Sequence, residues 1–326
     1  MAGITGAGTT FNLPNYVGEL FGLTPADTPL LSAIGGLTGG ESTDSTVFPW
    51  STYDLRDAAT DRQRLEGADA PTAEARVRGT AFNVVEIHQE ALTLSYTKQS
   101  TAGQIDGSGS NHPNAGSLSG RNNVSNEVDW QLEQHIKQIA RDVEATFIEG
   151  TFQEPADNNT ARKTRGLLEA ISTNAVDLEG AQVTKDDVLD LMQEVYSSGG
   201  IMEDETRTLL CGPIQKRRLT TLFVSDSVYR QDSRTVGGVS VDTILTDFGT
   251  LNVMLDRHMP SDSLLVLSLE QLSPVFLTVP GKGHFFVEPL AKTGAADKFQ
   301  LYGEIGLKYG NEIAHGKITD ASVAPS

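Results

Sequence analysis

The chain has 326 residues, 38% of them hydrophobic, enough for one large domain or two ordinary ones with a real core. Its 25 basic and 43 acidic residues leave a formal charge of −18, which argues against a sequence-reading nucleic-acid protein, because such proteins neutralise phosphates with clustered Lys and Arg. The single cysteine, Cys211 in TLLCGP, excludes an internal disulfide and a thiolate metal cluster; it reads as a small core hydrophobe in a chain suited to a reducing cytosol.

The first 22 residues have no basic residue ahead of their apolar positions and no run long enough for a signal peptide. Nor does any stretch approach the roughly 20 apolar residues of a membrane span. The sequons at Asn123 and Asn158 are therefore read as chance. Residues 1–49 contain no Lys or Arg, much Gly and Thr, and short apolar clusters such as Phe11, Leu13, Tyr16, Val17, Leu20 and Phe21. This composition predicts an extended arm, held in place by a neighbouring chain.

From Thr46 to Leu55 and again from Arg76 to Tyr96 the alternation predicts strands, with Leu92, Leu94 and Tyr96 set against Thr93, Ser95 and Thr97. Between them lies RLEGADAPTAEARVRG, residues 64–79, whose only large apolar residues are Leu65 and Val77. Within residues 51–80, Arg56, Arg62, Arg64, Arg76 and Arg78 mix with Asp54, Asp57, Asp61, Glu66, Asp69 and Glu74. A hairpin tip of this kind has too little apolar surface to fold back on its own core; it stays solvated or reaches a charged partner.

Residues 101–120 are rich in turn formers and read as a loop. The longest element follows. Val124, Val128, Leu132, Ile136, Ile139, Val143 and Phe147 recur every three or four residues, one face of a helix that Gly150 ends. A second helix is predicted in TKDDVLDLMQEVYSSGG, capped by Thr184 with Asp186 and Asp187 in its first turn, and a third opens at Gly212-Pro213. A strand in RTLLC and strand-like runs in FGTLNVMLDRHM, SLLVLSL and KFQLYGEIGLKYGNEIAHGKITD complete an α+β class.

No phosphate-binding loop, dinucleotide fingerprint, zinc-protease motif or nucleophile elbow occurs. Gly281-Lys282-Gly283-His284 has the flavour of an anion loop but lacks the following Ser or Thr and the helix. His88, His112, His135, His258, His284 and His315 are scattered singly and read as structural. An unfamiliar hydrolase site would have to be sought at His258 and Asp256 in LDRHMP.

The order of parts resembles the major capsid proteins of tailed bacteriophages, with the Hong Kong 97-type fold. The resemblance is carried by that order and by FPWSTYDL, EGADAP, NVVEI, DWQLEQHIKQIARDVEATFIEG, RKTRGLLEAI, FGTLNVMLDRHMP and LYGEIGLKYGNEIAHGKI. It implies an N-terminal arm (1–48), an extended hairpin loop (49–100), a peripheral domain with a spine helix (101–183), an axial domain (184–284) and return strands of the peripheral domain (285–326). It further implies a shell protein with no catalytic, cofactor or metal site, made in the bacterial host cytoplasm. This protein would assemble as hexamers and pentamers with a portal and a separate scaffolding protein around DNA held without sequence specificity, and no membrane. The hairpin tip would lie over an adjacent subunit, with Arg62, Arg64, Glu66, Asp69, Arg76 and Arg78 as intersubunit contacts. The recognisable arm begins almost at Met1, which puts proteolytic removal of a long prefix in doubt; no covalent cross-link pair is assigned. The rival readings are another assembling virion component, such as a tail-tube or decoration protein, and the hydrolase. A long helix beside a long hairpin favours the shell protein, since a β-rich tail tube would not need it.

Overall fold

A computed structural model of the chain describes residues 25–53, 58–70, 72, 75–76, 78–97, 127–155, 157, 159–198, 207–225, 234–236 and 239–323. Residues 1–24 of the expected arm, the expected loop at 101–120, Glu74 and Val124 lie outside them.

Five helices are described: α1 (Pro29–Ile34), α2 (Glu127–Glu149), α3 (Leu167–Ala170), α4 (Lys185–Ser197) and α5 (Pro213–Ser225). Helix α1 departs from the expected arm. Pro29 opens it, where a missing amide costs nothing, and Gly35 at φ 128 follows it. Its Leu30 and Leu31 are 0% and 1% exposed in the main core, so residues 25–48 hold part of the subunit's own interior.

Helix α2 is the predicted spine, and Ile139, Val143 and Phe147 are buried as expected. Ile136 is not: it is 44% exposed. At 3.6 residues per turn it shares a face with Val143, so the helix phase is as predicted, but the cover that buries Val143 leaves Ile136 partly open. It lines an open apolar cavity of about 250 Å³ with Leu37, Phe285, Phe286, Val287 and Leu301. Gly150 ends the helix against the following loop, where a Cβ would sit 2.4 Å from the Thr146 carbonyl oxygen and 2.7 Å from that of Thr164. Helix α4 begins with the predicted cap: Thr184 Oγ1 accepts the Asp187 amide while the Asp187 carboxylate accepts the Thr184 amide.

The strands are β1 (Glu41–Thr43), β2 (Val47–Tyr53), β3 (Arg78–Val84), β4 (Glu86–Ser95), β5 (Ala175–Asp177), β6 (Arg207–Cys211), β7 (Arg234–Val236), β8 (Val239–Thr246), β9 (Gly249–Leu255), β10 (Leu264–Ser268), β11 (Ser273–Leu277), β12 (Phe285–Pro289), β13 (Ala296–Lys308) and β14 (Gly316–Thr319). A five-stranded sheet is organised by β13, whose one edge pairs with β4 along Ala296–Ile305. The other edge is shared end to end, β12 pairing at Phe299–Gly303 and β11 at Ile305–Lys308. Helix α2 lies on β4 and β13, and the buried residues of α2 and β13 form one core with α1. A seven-stranded sheet runs β5-β14-β10-β6-β9-β8-β7, and its core includes Leu191 and Met192 of α4 and Leu219 and Phe223 of α5.

Sheet membership cuts across the segment boundaries expected from sequence. Strand β4, assigned to 49–100, pairs with β13 over ten register positions, and β11, assigned to 184–284, joins the same sheet. Strand β14, assigned to the return strands at 285–326, instead pairs antiparallel with β10 and parallel with β5. Chain order cannot reveal such exchanges, because strand partners are chosen in space.

Candidate assembly surface

Strands β2 and β3 form a two-stranded sheet of their own, in register from Val47 opposite Val84 at the root to Tyr53 opposite Arg78 at the far end. Isolated hairpins are marginal in water, so the root must carry the stability. It is densely anchored. Phe48 is buried with Val85 and Val275, and a Cβ on Gly306 would come within 2.7 Å of its ring. Trp50 packs its ring edge-on against Tyr309 at 4.8 Å and donates its indole N–H to the Gly310 carbonyl at 2.6 Å.

Asn83, fully buried, uses its whole amide. Its Nδ2 donates to the carbonyls of Leu307 (2.7 Å) and Arg165 (3.1 Å), while Oδ1 accepts the amides of Arg165 (2.8 Å) and Val84 (2.9 Å). A buried amide with every group satisfied specifies one geometry. The Arg165 guanidinium in turn lies 4.3 Å over the Phe152 ring and donates to the Tyr309 hydroxyl at 3.1 Å. Beside this root, Arg162 donates to the nearly buried Glu304 at 2.5 Å. Glu304 also accepts the Tyr302 hydroxyl; burial first, then this bond, pushes the phenol up to about 12.

Toward the tip the anchoring ends. Every residue from Asp61 to Ala70 is exposed, with Leu65 86% and Tyr53 77% accessible. Gly67 at φ 78 allows the turn closed by the Ala68 amide on the Leu65 carbonyl at 3.1 Å. Arg62, Arg64, Glu66, Asp69, Arg76 and Arg78 are all exposed. All six therefore lie at the surface of the subunit, on the connection between β2 and β3 or at the start of β3. Sequence reading missed Trp50, Asn83 and Arg165, which orient the hairpin; the signal available was a polar Asn83 inside the otherwise apolar strand end FNVV.

The candidate chemical residues have other partners. Asp256 Oδ1 accepts the backbone amide of His258 at 2.8 Å, which explains the spacing in LDRHMP without a side-chain dyad. Lys282 donates to the Glu288 carboxylate at 2.7 Å beside a turn closed between Val279 and Gly283, so its ammonium is already paired within the chain. His315 is buried, accepts the Ser268 amide and contacts the Tyr309 carbonyl at 2.9 Å; burial drives its pKa down to about 4. His88 is half-buried with its pKa lowered by desolvation, and His135 lies 3.7 Å from Glu90. Cys211 is fully buried, as predicted. No cluster of metal-ligating side chains occurs among the described residues.

The architecture has known counterparts. The capsid protein of Cyanophage A-1(L) superposes with a TM-score of 0.65 at 13% identity, covering 97% of this chain and 99% of its own. The SrpI encapsulin of Synechococcus elongatus PCC 7942 does so with a TM-score of 0.59, also at 13% identity, over 100% of this chain and 98% of its own. These likenesses show the Hong Kong 97-type fold, which viral shells and encapsulins share. In sequence, the major capsid protein of Escherichia phage Phieco32 is 23% identical over 354 residues, spanning 92% of each chain. The family described as SU10 major capsid protein matches residues 3–322. With hairpin, spine helix and both sheets inside that match, the chain belongs to the SU10 major capsid protein family.

Proposed function

We propose that this major capsid protein assembles with copies of itself, as hexamers and pentamers, into the icosahedral shell around the double-stranded DNA of a tailed bacteriophage. The hairpin carries the reading: it is anchored at its root by Asn83 and Trp50 and makes a tip of wholly exposed residues, including Leu65 and Tyr53. Apolar side chains this accessible on a projecting ribbon gain burial only from another subunit. Arg62, Arg64, Arg76 and Arg78, mixed with Glu66 and Asp69, set the register of that contact and reject wrong partners, although each exposed pair is worth only about 0 to 1 kcal/mol. Many identical contacts multiply the small term.

The finer partners follow from the same reading. A portal and a separate scaffolding protein direct assembly in the host cytoplasm, and the shell is the protein's place in the virion. The net charge of −18 limits adhesion of packaged DNA to the wall. No described helix is long and apolar enough to cross a membrane. No residue arrangement described above favours an enzymatic reading.

Negative-stain microscopy of the expressed protein tests the proposal: closed shells are expected, and tubes or dispersed monomers in the presence of the phage's own assembly factors would overturn it. A filter-binding assay should find weak DNA affinity for free subunits at physiological salt.

A further inference from the structure

The inner part of α2 carries an acid where an apolar residue would be expected. Glu144 is fully buried; its Oε1 accepts the Leu30 amide at 2.8 Å and its Oε2 the Leu31 amide at 2.6 Å. These are leading amides of α1, which that helix cannot satisfy itself. A second acid, Asp256 just after β9, is also fully buried, and it lies close enough to the Glu144 carboxyl to raise its pKa. The Asp256 backbone amide is fixed on the Cys211 carbonyl at 3.0 Å and its Oδ1 on the His258 amide, whereas Oδ2 is buried without a hydrogen-bond partner.

Two ionised carboxylates are acceptors only and cannot bond each other; one proton between them turns one into a donor and supplies what Asp256 Oδ2 lacks. No Lys, Arg or His forms an ion pair with either acid among the described residues. The other charged or titratable groups on the surrounding elements are engaged elsewhere. Arg257 and Asp27 form an exposed pair at 3.0 Å, Gln138 bonds both Asp142 and the Nη1 of Arg141 on α2, whose Nε is buried without a hydrogen-bond partner, and Glu169 of α3 accepts the Phe152 amide. Cys211 and His258 present backbone groups, and Glu270 lies in the short turn beside α1. Asp256 is the one side chain acting on Glu144, after desolvation itself, in pushing its pKa up to about 9.

We infer that Glu144 and Asp256 form a proton-dependent latch for residues 25–34. With one shared proton, the Glu144 carboxyl holds the Leu30 and Leu31 amides on the spine helix. When that proton passes to hydroxide, two adjacent buried negative charges push the segment off while the rest of the subunit stays folded.

The test is a nitroxide on Ser32→Cys, an exposed position of α1, followed by its spectrum from pH 6 to pH 10 in free subunits, with far-ultraviolet circular dichroism in parallel; Cys211 is buried. The parent should be immobilised at neutral pH and gain a mobile component as pH rises through the alkaline range. Asp256→Asn keeps the shape, removes the like charge and offers Glu144 a donor, so its label should stay immobile throughout. Glu144→Gln gives up one of the two amide contacts, so its label should be more mobile at neutral pH but independent of pH. A parent label unchanged across the range, variants that follow the parent curve, or loss of the whole fold at the same midpoint would each overturn the latch.

Discussion

The hairpin and the spine helix are both long, sequence-evident elements, but they solve opposite problems. Along α2, from Ile139 to Ile148, the buried residues are enclosed by β4, β13 and α1, so the subunit alone satisfies them. Along β2 and β3 the anchors lie at the root, at Asn83 and Trp50, while every residue from Asp61 to Ala70 is exposed. A residue's part in folding or in assembly thus depends on which side of that boundary it lies, not on its hydrophobicity. Leu65 is as apolar as Leu31, and only one of them is in the core.

The sharpest break of this contrast lies within α2 itself. Ile139→Asp buries an unpaired charge and should cost on the order of 4 kcal/mol, enough to remove soluble folded subunits. Ile136→Asp, one turn earlier on the same face but 44% exposed, should leave the melting curve nearly unchanged. Equal loss of soluble protein in both variants would mean that the open cavity beside Ile136 is closed in the free subunit.

Next in size is an acid effect confined to the cores. His315 binds its proton less readily folded, at about 4, than in its ordinary state at 6.5. Between these values the unfolded chain holds more protons, so stability rises with pH and is lost as pH falls, by on the order of 3 kcal/mol. Thermal melts from pH 7 to pH 4 should show the loss, and His315→Gln should flatten the curve. Glu144 acts in the other direction: its raised pKa means that the folded state holds the extra proton, so its contribution declines as pH climbs from the ordinary carboxylate range toward about 9.

At the boundary between the two regions, Asn83→Ala leaves the Arg165 amide and the Leu307 carbonyl without their partner and should cost about 1 to 3 kcal/mol. Hydrogen exchange should then rise along β2 and β3 more than in α2; uniform loosening would show that the root is an ordinary part of the core.

The smallest effect on the subunit should come from the tip. Arg62→Glu combined with Arg64→Glu should change folding by no more than about 0.5 kcal/mol. The same variant should lower shell yield, or make shells dissociate at lower denaturant. Unchanged assembly at low and high salt would reduce the tip to a solvated loop.

Most of this arrangement was legible from spacing. Periodicity near 3.6 marked α2 and α4, Thr184 and Asp187 marked a cap, alternation marked β4 and β13, and the order of these parts carried the family resemblance. The exposure of all six predicted contact residues also agreed with the reading of a tip too poor in apolar groups to fold back. Such signals are local: they follow from backbone geometry and from which face of an element must leave water.

Other features depended on segments far apart in the chain. Asp256 reads in sequence as half of a candidate catalytic pair and Glu144 carries no signal of its own; only folding brings them together near the amides of Leu30 and Leu31, more than a hundred positions from Glu144. The same holds for Asn83 between Arg165 and Leu307, for β14 leaving its neighbours to pair with β10, and for α1 entering the core from a stretch that reads as an arm. A buried polar group needs a partner, but the choice of partner is made by packing across long loops, and no residue spacing encodes it.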